Sequence, residues 1–277
     1  MQVISTLAAA SVALGAAATN ANTEHVQRQL ILGGEEVAVG AKTYAVGIRP
    51  TVDSDNFCGG SLISPTHVLT TATCSQGDIA VAAVGSHYIN GTSDGEQIRI
   101  VSGQRHPQYN TTSGSYDFAV LTLEKPSKFA PVKLPAANDS DIIPGMWAKV
   151  MGWGDTSFPN GTTSYELLSV GVQVWDNNDC LPVFVIDDTM VCAGGVAGKD
   201  ACNGDTGAPL VKEKGRGDAD DVVIGVSSWG HGCGNDGVPG VYSRVSAAVE
   251  WINSVTKSLT PLEGQQLPIA NLTKTGI

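Results

Sequence analysis

Six cysteines and five histidines are the side chains of this 277-residue sequence best able to do chemistry. The cysteines are even in number and follow a leader-like N-terminus, and an oxidising export route favours disulfides over metal thiolates. Six cysteines allow 15 pairings. With the cysteines committed to one another and the histidines scattered, no metal site and no cofactor is read from the chain. Five Asn-X-Ser/Thr triplets, at Asn90, Asn110, Asn138, Asn160 and Asn271, are candidate glycan acceptors and agree with export. Sixteen basic against 27 acidic residues give a net charge of −11, and no basic cluster interrupts it, so nucleic acid is not an expected partner.

The elements that would position these groups are short. A composition of 42% hydrophobic and 16% charged residues, with 33 glycines and 13 prolines, predicts many strands separated by turns. FCGGSLIS, THVLTTATC, DFAVLTLE, AKVMGWG and VVIGVSSWG are apolar or alternating and bounded by turn residues, as strands are. One helix is expected, in VSAAVEWINSVTKSL, where Val245, Val249, Ile252 and Val255 share a face. Residues 1–21 read as a signal peptide, with an apolar run from Val3 to Ala18 shorter than the roughly 20 residues a membrane span needs. No membrane association is expected. Residues 22–30 read as a propeptide-like connector, 31–259 as the folded domain with a crossing near Pro144, and 260–277 as a polar tail.

From Ile31 to about Leu259 the chain resembles the trypsin-like serine proteases. The likeness is carried by ILGG at 31–34, CGGSLISPTHVLTTATC at 58–74, YDFAVLTL at 116–123, CNGDTGAPL at 202–210, and SSWGHGC with PGVYSRV at 227–233 and 239–245. It implies an all-β fold of two six-stranded antiparallel β-barrels, chymotrypsin-like, with a C-terminal α-helix. It also selects one pairing of the cysteines: Cys58–Cys74, Cys180–Cys192 and Cys202–Cys233.

Peptide cleavage by such a fold needs a hydroxyl nucleophile, an imidazole to take its proton and a carboxylate to orient the imidazole. By resemblance the carboxylate position is Asp117, which is kept. The imidazole position is Thr73 and the nucleophile position is Thr206, so the triad is vestigial and no catalytic residue remains. His25, His67, His87, His106 and His231 fall at other positions, and a structural role is expected of each. Losing base or nucleophile alone costs about 10⁶-fold in turnover. Ala208, where the family has glycine, is expected to add a methyl that obstructs the loop. A pocket remnant persists in Asp200, Ser228, Gly230 and Gly240, with Gly204 at the former oxyanion hole. The family buries the carboxylate equivalent to Asp205 against a freed amino terminus, here Ile31, but Leu30 precedes Ile31 and Arg28 lies two positions further upstream than a trypsin-like cut requires.

Binding is what such a scaffold can still do. The chain is similar to the secreted glucanase inhibitor proteins of oomycete plant pathogens. That likeness implies a secreted, proteolytically inactive protein, monomeric before complex formation, that inhibits host endo-β-1,3-glucanases in the apoplast. Alternative readings are a pseudoprotease with another extracellular partner and a weak trypsin-like peptidase using Thr206. Loops 86–97, 157–166 and 212–221, polar and rich in glycine, are the candidate contact surfaces.

Overall fold

The computed structural model describes residues 32–215 and 217–257. The expected leader, connector and tail, with Asn271 and His25, lie outside the described residues. Among the described residues thirteen strands follow in order: β1 (Glu35–Glu36), β2 (Ala45–Arg49), β3 (Cys58–Ser64), β4 (His67–Thr70), β5 (Val81–Val84), β6 (Glu96–Arg105), β7 (Ala119–Leu123), β8 (Trp147–Gly152), β9 (Leu168–Gln173), β10 (Met190–Gly194), β11 (Pro209–Lys212), β12 (Val222–Trp229) and β13 (Pro239–Arg244). Two helices, α1 (Asn177–Cys180) and α2 (Val249–Lys257), complete the set with three short 3₁₀ turns.

Strands β2 to β7 close into a six-stranded antiparallel barrel in the order β2-β3-β4-β7-β6-β5. Alternation is clearest in the middle of β6, where Ile98 and Ile100 are buried and Arg99 between them faces solvent. The second half is a seven-stranded antiparallel sheet, β1-β9-β8-β11-β12-β13-β10, and differs from the expected plain six-stranded barrel in two ways. The two-residue β1 joins its edge through Glu35 and Glu36, opposite Ser169 and Leu168. The segment after β9 closes back on β10 through the bridge of Val174 with Ala193, next to the bond from Trp175 N–H to the Cys192 carbonyl at 2.9 Å.

Each half has its own apolar core. Leu62, Ile98 and Leu121 belong to the first, and Val150, Leu210 and Ile224 to the second. Helix α2 follows the second half in sequence and reaches the first, where Trp251 meets His106 edge-on at 4.8 Å; Val245, Val249, Ile252 and Val255, the face read from the sequence, are buried in a cluster that holds the first half's core and takes in Val211, Val223 and Val226 of the second. Burying Ile252 completely contributes about 2 to 3 kcal/mol of apolar transfer free energy. Of the tryptophans, which the sequence places mostly in core-like strands, Trp147 is 60% exposed at the start of β8.

The halves are also joined by charge. Lys42, just before β2, places its Nζ 2.7 Å from Asp221, 2.6 Å from Glu213 and 3.1 Å from Asp218, all from the β11–β12 connection. Tyr44 donates its hydroxyl to the same Asp221 at 2.7 Å. Although burial alone would lower the Lys42 pKa, the three carboxylates raise it well above its ordinary value. Loop 212–221, a candidate contact surface by composition, is thus held against the first half.

Candidate functional site

Three loops and one strand meet where the halves face each other. Thr73 follows β4 and opens the turn Cys74–Gln76, Asp117 precedes β7, Thr206 lies in the loop before β11, and Ser228 sits on β12. The first and third loops are fastened by Cys58–Cys74 and Cys202–Cys233, and Cys180–Cys192 fastens α1 to β10. The loop at 202–207 turns through Gly204 at φ 93° and Gly207 at φ 86°, left-handed values that glycine adopts without strain.

Asp117 is only 2% exposed, and its carboxylate is well supplied with donors. Thr73 N–H reaches Oδ1 at 2.8 Å, Thr73 Oγ1 lies 3.1 and 3.0 Å from Oδ1 and Oδ2, and Ser228 Oγ donates to Oδ2 at 2.7 Å. Burial raises the Asp117 pKa, while these hydrogen bonds pull it back. The Thr73 hydroxyl is therefore held by this carboxylate, and a hydroxyl cannot act as a base near neutral pH. It offers no nitrogen to take a proton from Thr206, and Tyr109 OH, 2.9 Å away, is its other neighbour.

The described histidines are engaged elsewhere. His67 Nδ1 lies 2.8 Å from Ser64 Oγ, and His87 Nε2 lies 3.2 Å from Glu36. His106 is buried, stacked on Tyr116 at 4.3 Å and pushed down to a pKa of about 4 by burial. His231 meets the edge of Phe184 at 5.0 Å. None of these arrangements places an imidazole on Thr206.

One expectation about the loop is corrected. Ala208 does not point a methyl into the cleft; it is fully buried in the second core, and a Cβ built on Gly59 would lie 3.1 Å from its own. Its methyl fills an internal gap beside Gly59.

The pocket remnant is a cavity of about 150 Å³ lined by Asp200, Thr206, Ser228, Gly230, Gly240 and Tyr242, among others. Asp200 accepts from Gly234 N–H at 3.0 Å, and burial pushes its pKa up to about 6. The Tyr242 hydroxyl beside Gly240 is buried without a partner among the described residues. A carboxylate and an uncommitted hydroxyl at one floor suit a cationic hydrogen-bond donor. Phe158, placed by the sequence only in the candidate contact loop 157–166, also lines this cavity, and its ring packs against Gly232 at the rim. No local signal marks it, because the contact joins positions 74 apart.

Asp205 is completely buried. Gly154 N–H donates to Oδ1 and Cys202 N–H to Oδ2, both at 2.9 Å, and burial raises its pKa to about 6. No cation pairs with it among the described residues. Leu32, the first of these, accepts the Asp200 N–H at 3.3 Å, which seats the start of the domain beside the pocket.

A second, larger groove of about 760 Å³ adjoins Thr73 and Asp117. Thr111 to Gly114 form one wall, Val183 to Val185 the other, and Trp229 lies between them. Val185 is 93% exposed.

This pairing of barrels, disulfides and facing loops is that of the trypsin family, whose model matches residues 31–252, and the chain belongs to that family. Within it, the chain is 67% identical over 258 residues to glucanase inhibitor protein 1 of Phytophthora infestans, an alignment covering 93% of this chain and 98% of that protein. It is 62% identical over 259 residues to glucanase inhibitor protein 3 of the same organism, covering 93% and 99%. It is 60% identical over 260 residues to glucanase inhibitor protein 2 of Phytophthora sojae, covering 93% and 89%.

Proposed function

We propose that this chain is a secreted, proteolytically inactive protease homologue that binds an endo-β-1,3-glucanase of a host plant in the apoplast and inhibits it. Suppressing the release of glucan fragments that elicit defence is the virulence role that follows. The observation that carries the reading is 67% identity to a glucanase inhibitor protein across nearly the whole of both chains. The Thr73–Asp117 geometry supports it, because the site holds its carboxylate without a base and leaves a folded surface as the chain's working part. Inhibition is therefore noncovalent, between one copy of this chain and one glucanase. A net charge of −11 favours faster encounter with basic glucanases, and salt weakens that advantage.

The test is purified secreted protein titrated into a panel of plant β-1,3-glucanases, reading hydrolysis of branched β-glucan and complex formation by size. Slowed hydrolysis with a one-to-one complex is expected, and unrelated glycosidases are left unaffected. A molar excess that neither binds nor slows any member of the panel overturns the proposal. Cleavage of Arg or Lys peptides at rates lost on Thr206→Ala would favour the peptidase reading instead.

A further inference from the structure

Four of the five Asn-X-Ser/Thr triplets lie among the described residues, and their amides are in different states. Asn90 is half-buried and donates Nδ2 to Asp55 Oδ1 at 2.6 Å, so a sugar on that nitrogen would crowd a close carboxylate contact. Asn110 is exposed and oriented the other way. Its Oδ1 accepts from Thr112 N–H at 2.8 Å and Ser113 N–H at 3.2 Å, which turns the side-chain oxygen onto its own loop and leaves the amide nitrogen for solvent.

That loop is well tied. Asn110 N–H donates to the Ser115 carbonyl at 3.1 Å, Gly114 N–H returns to the Asn110 carbonyl at 2.9 Å, and Tyr116 N–H reaches Thr189 Oγ1 at 3.1 Å. Attachment at Asn110 disturbs none of these bonds, since the amide oxygen that accepts them is retained. Asn138 and Asn160 are exposed too, but neither has a sequence neighbour that lines the large groove, whereas Asn110 sits between Tyr109 and Thr111, which both do.

The loop opened by Asn110 is one wall of the 760 Å³ groove. The opposite wall carries Val185, almost fully exposed, and Trp229 lies between. A secreted monomer with an open apolar groove of this size risks self-association, which a bulky hydrated group on the lip prevents. We propose that Asn110 carries an N-linked glycan that overhangs this groove and shields its apolar wall, while Asn90 is left unmodified. Transfer to the chain precedes final folding, so the folded structure selects which modified chains are compatible with secretion. The inference does not depend on which protein partner the chain binds.

The test begins with the full chain secreted from a eukaryotic host and digested after glycan release in heavy-oxygen water, which marks each formerly modified Asn as a labelled Asp. Asn110 is expected to be predominantly marked and Asn90 unmarked. In a second arm, an Asn138→Gln, Asn160→Gln, Asn271→Gln background is titrated with Nile red, an uncharged dye that suits a strongly acidic chain, before and after enzymatic glycan removal from the folded protein. Removal should raise the dye signal about twofold or more by uncovering the groove, and Asn110→Gln should show the raised signal from the start. Unmarked Asn110, equal marking of Asn90, or a dye signal indifferent to the glycan would each overturn the proposal. Because the enzymatic arm uses protein already folded, a folding failure of Asn110→Gln does not blunt the result.

Discussion

Replacing Asp205 with asparagine should flatten the dependence of folding stability on pH. The carboxyl is fully buried, accepts two backbone N–H bonds and has no cation beside it among the described residues, and its pKa rises from 3.8 to about 6. A folded-state pKa above the unfolded one means that the native protein holds this proton more tightly between pH 3.8 and about 6. Stability therefore falls as pH rises through that window and stays lower above it. At about 1.4 kcal/mol per pH unit the interval amounts to about 3 kcal/mol, a large fraction of a typical domain's stability. Asparagine removes the charge but leaves one N–H facing an amide NH₂, a cost of about 1 to 3 kcal/mol that does not vary with pH. It shifts the curve without tilting it. His106 contributes the opposite slope, because its folded pKa is lowered to about 4, but it does so equally in both proteins. The readout is the difference between wild type and Asp205→Asn in urea unfolding at pH 4, 5, 6 and 7. Equal slopes would refute the account of Asp205 as a buried carboxylate without a counter-charge. A wild type that gains stability relative to the variant as pH rises would reveal a cation there, as a freed Ile31 amino group would provide.

Three further outcomes follow from the same contacts. Lys42→Ala leaves Asp221 buried with only Tyr44 to serve its side chain and should cost about 3 kcal/mol in denaturant unfolding. Replacing both Cys58 and Cys74 with alanine should cost roughly 2 to 5 kcal/mol in thermal or urea unfolding, because it frees the loop that carries Thr73. Thr206→Ser alone should show no turnover of Arg or Lys esters, Thr73→His with Thr206→Ser should show measurable turnover once Ile31 is also made the true N-terminus to pair with Asp205, and adding Ala208→Gly should bring no gain and some loss of stability, since that methyl is internal.

Local patterns carried much of this molecule. The period-two run around Ile98 and Ile100 and the helical spacing of Val245, Val249, Ile252 and Val255 each report a face that must be buried, so both were readable without coordinates. Thr73, Asp117 and Thr206 were readable because each sits within a distinctive segment of the family. What stayed hidden depends on contacts between distant positions. The side on which the Ala208 methyl lies is set by Gly59, nearly 150 residues upstream, and no local periodicity reports it. The Lys42 cluster joins residues 179 apart, and a lysine followed by a loop of mixed charge reads as an ordinary solvated surface. The seventh strand of the second sheet is only Glu35 and Glu36, too short and too polar to register as a strand.

The Lys42 cluster has a consequence for association as well as for stability. With Lys42 and Tyr44 gripping Asp221 on one side and α2 packed across the halves on another, the two halves have little freedom to rock about the cleft between them. A partner therefore meets a surface whose shape is settled in advance. Little conformational entropy remains for this chain to lose on docking, and rigid-body complementarity, rather than closure around the partner, governs how long a complex lasts.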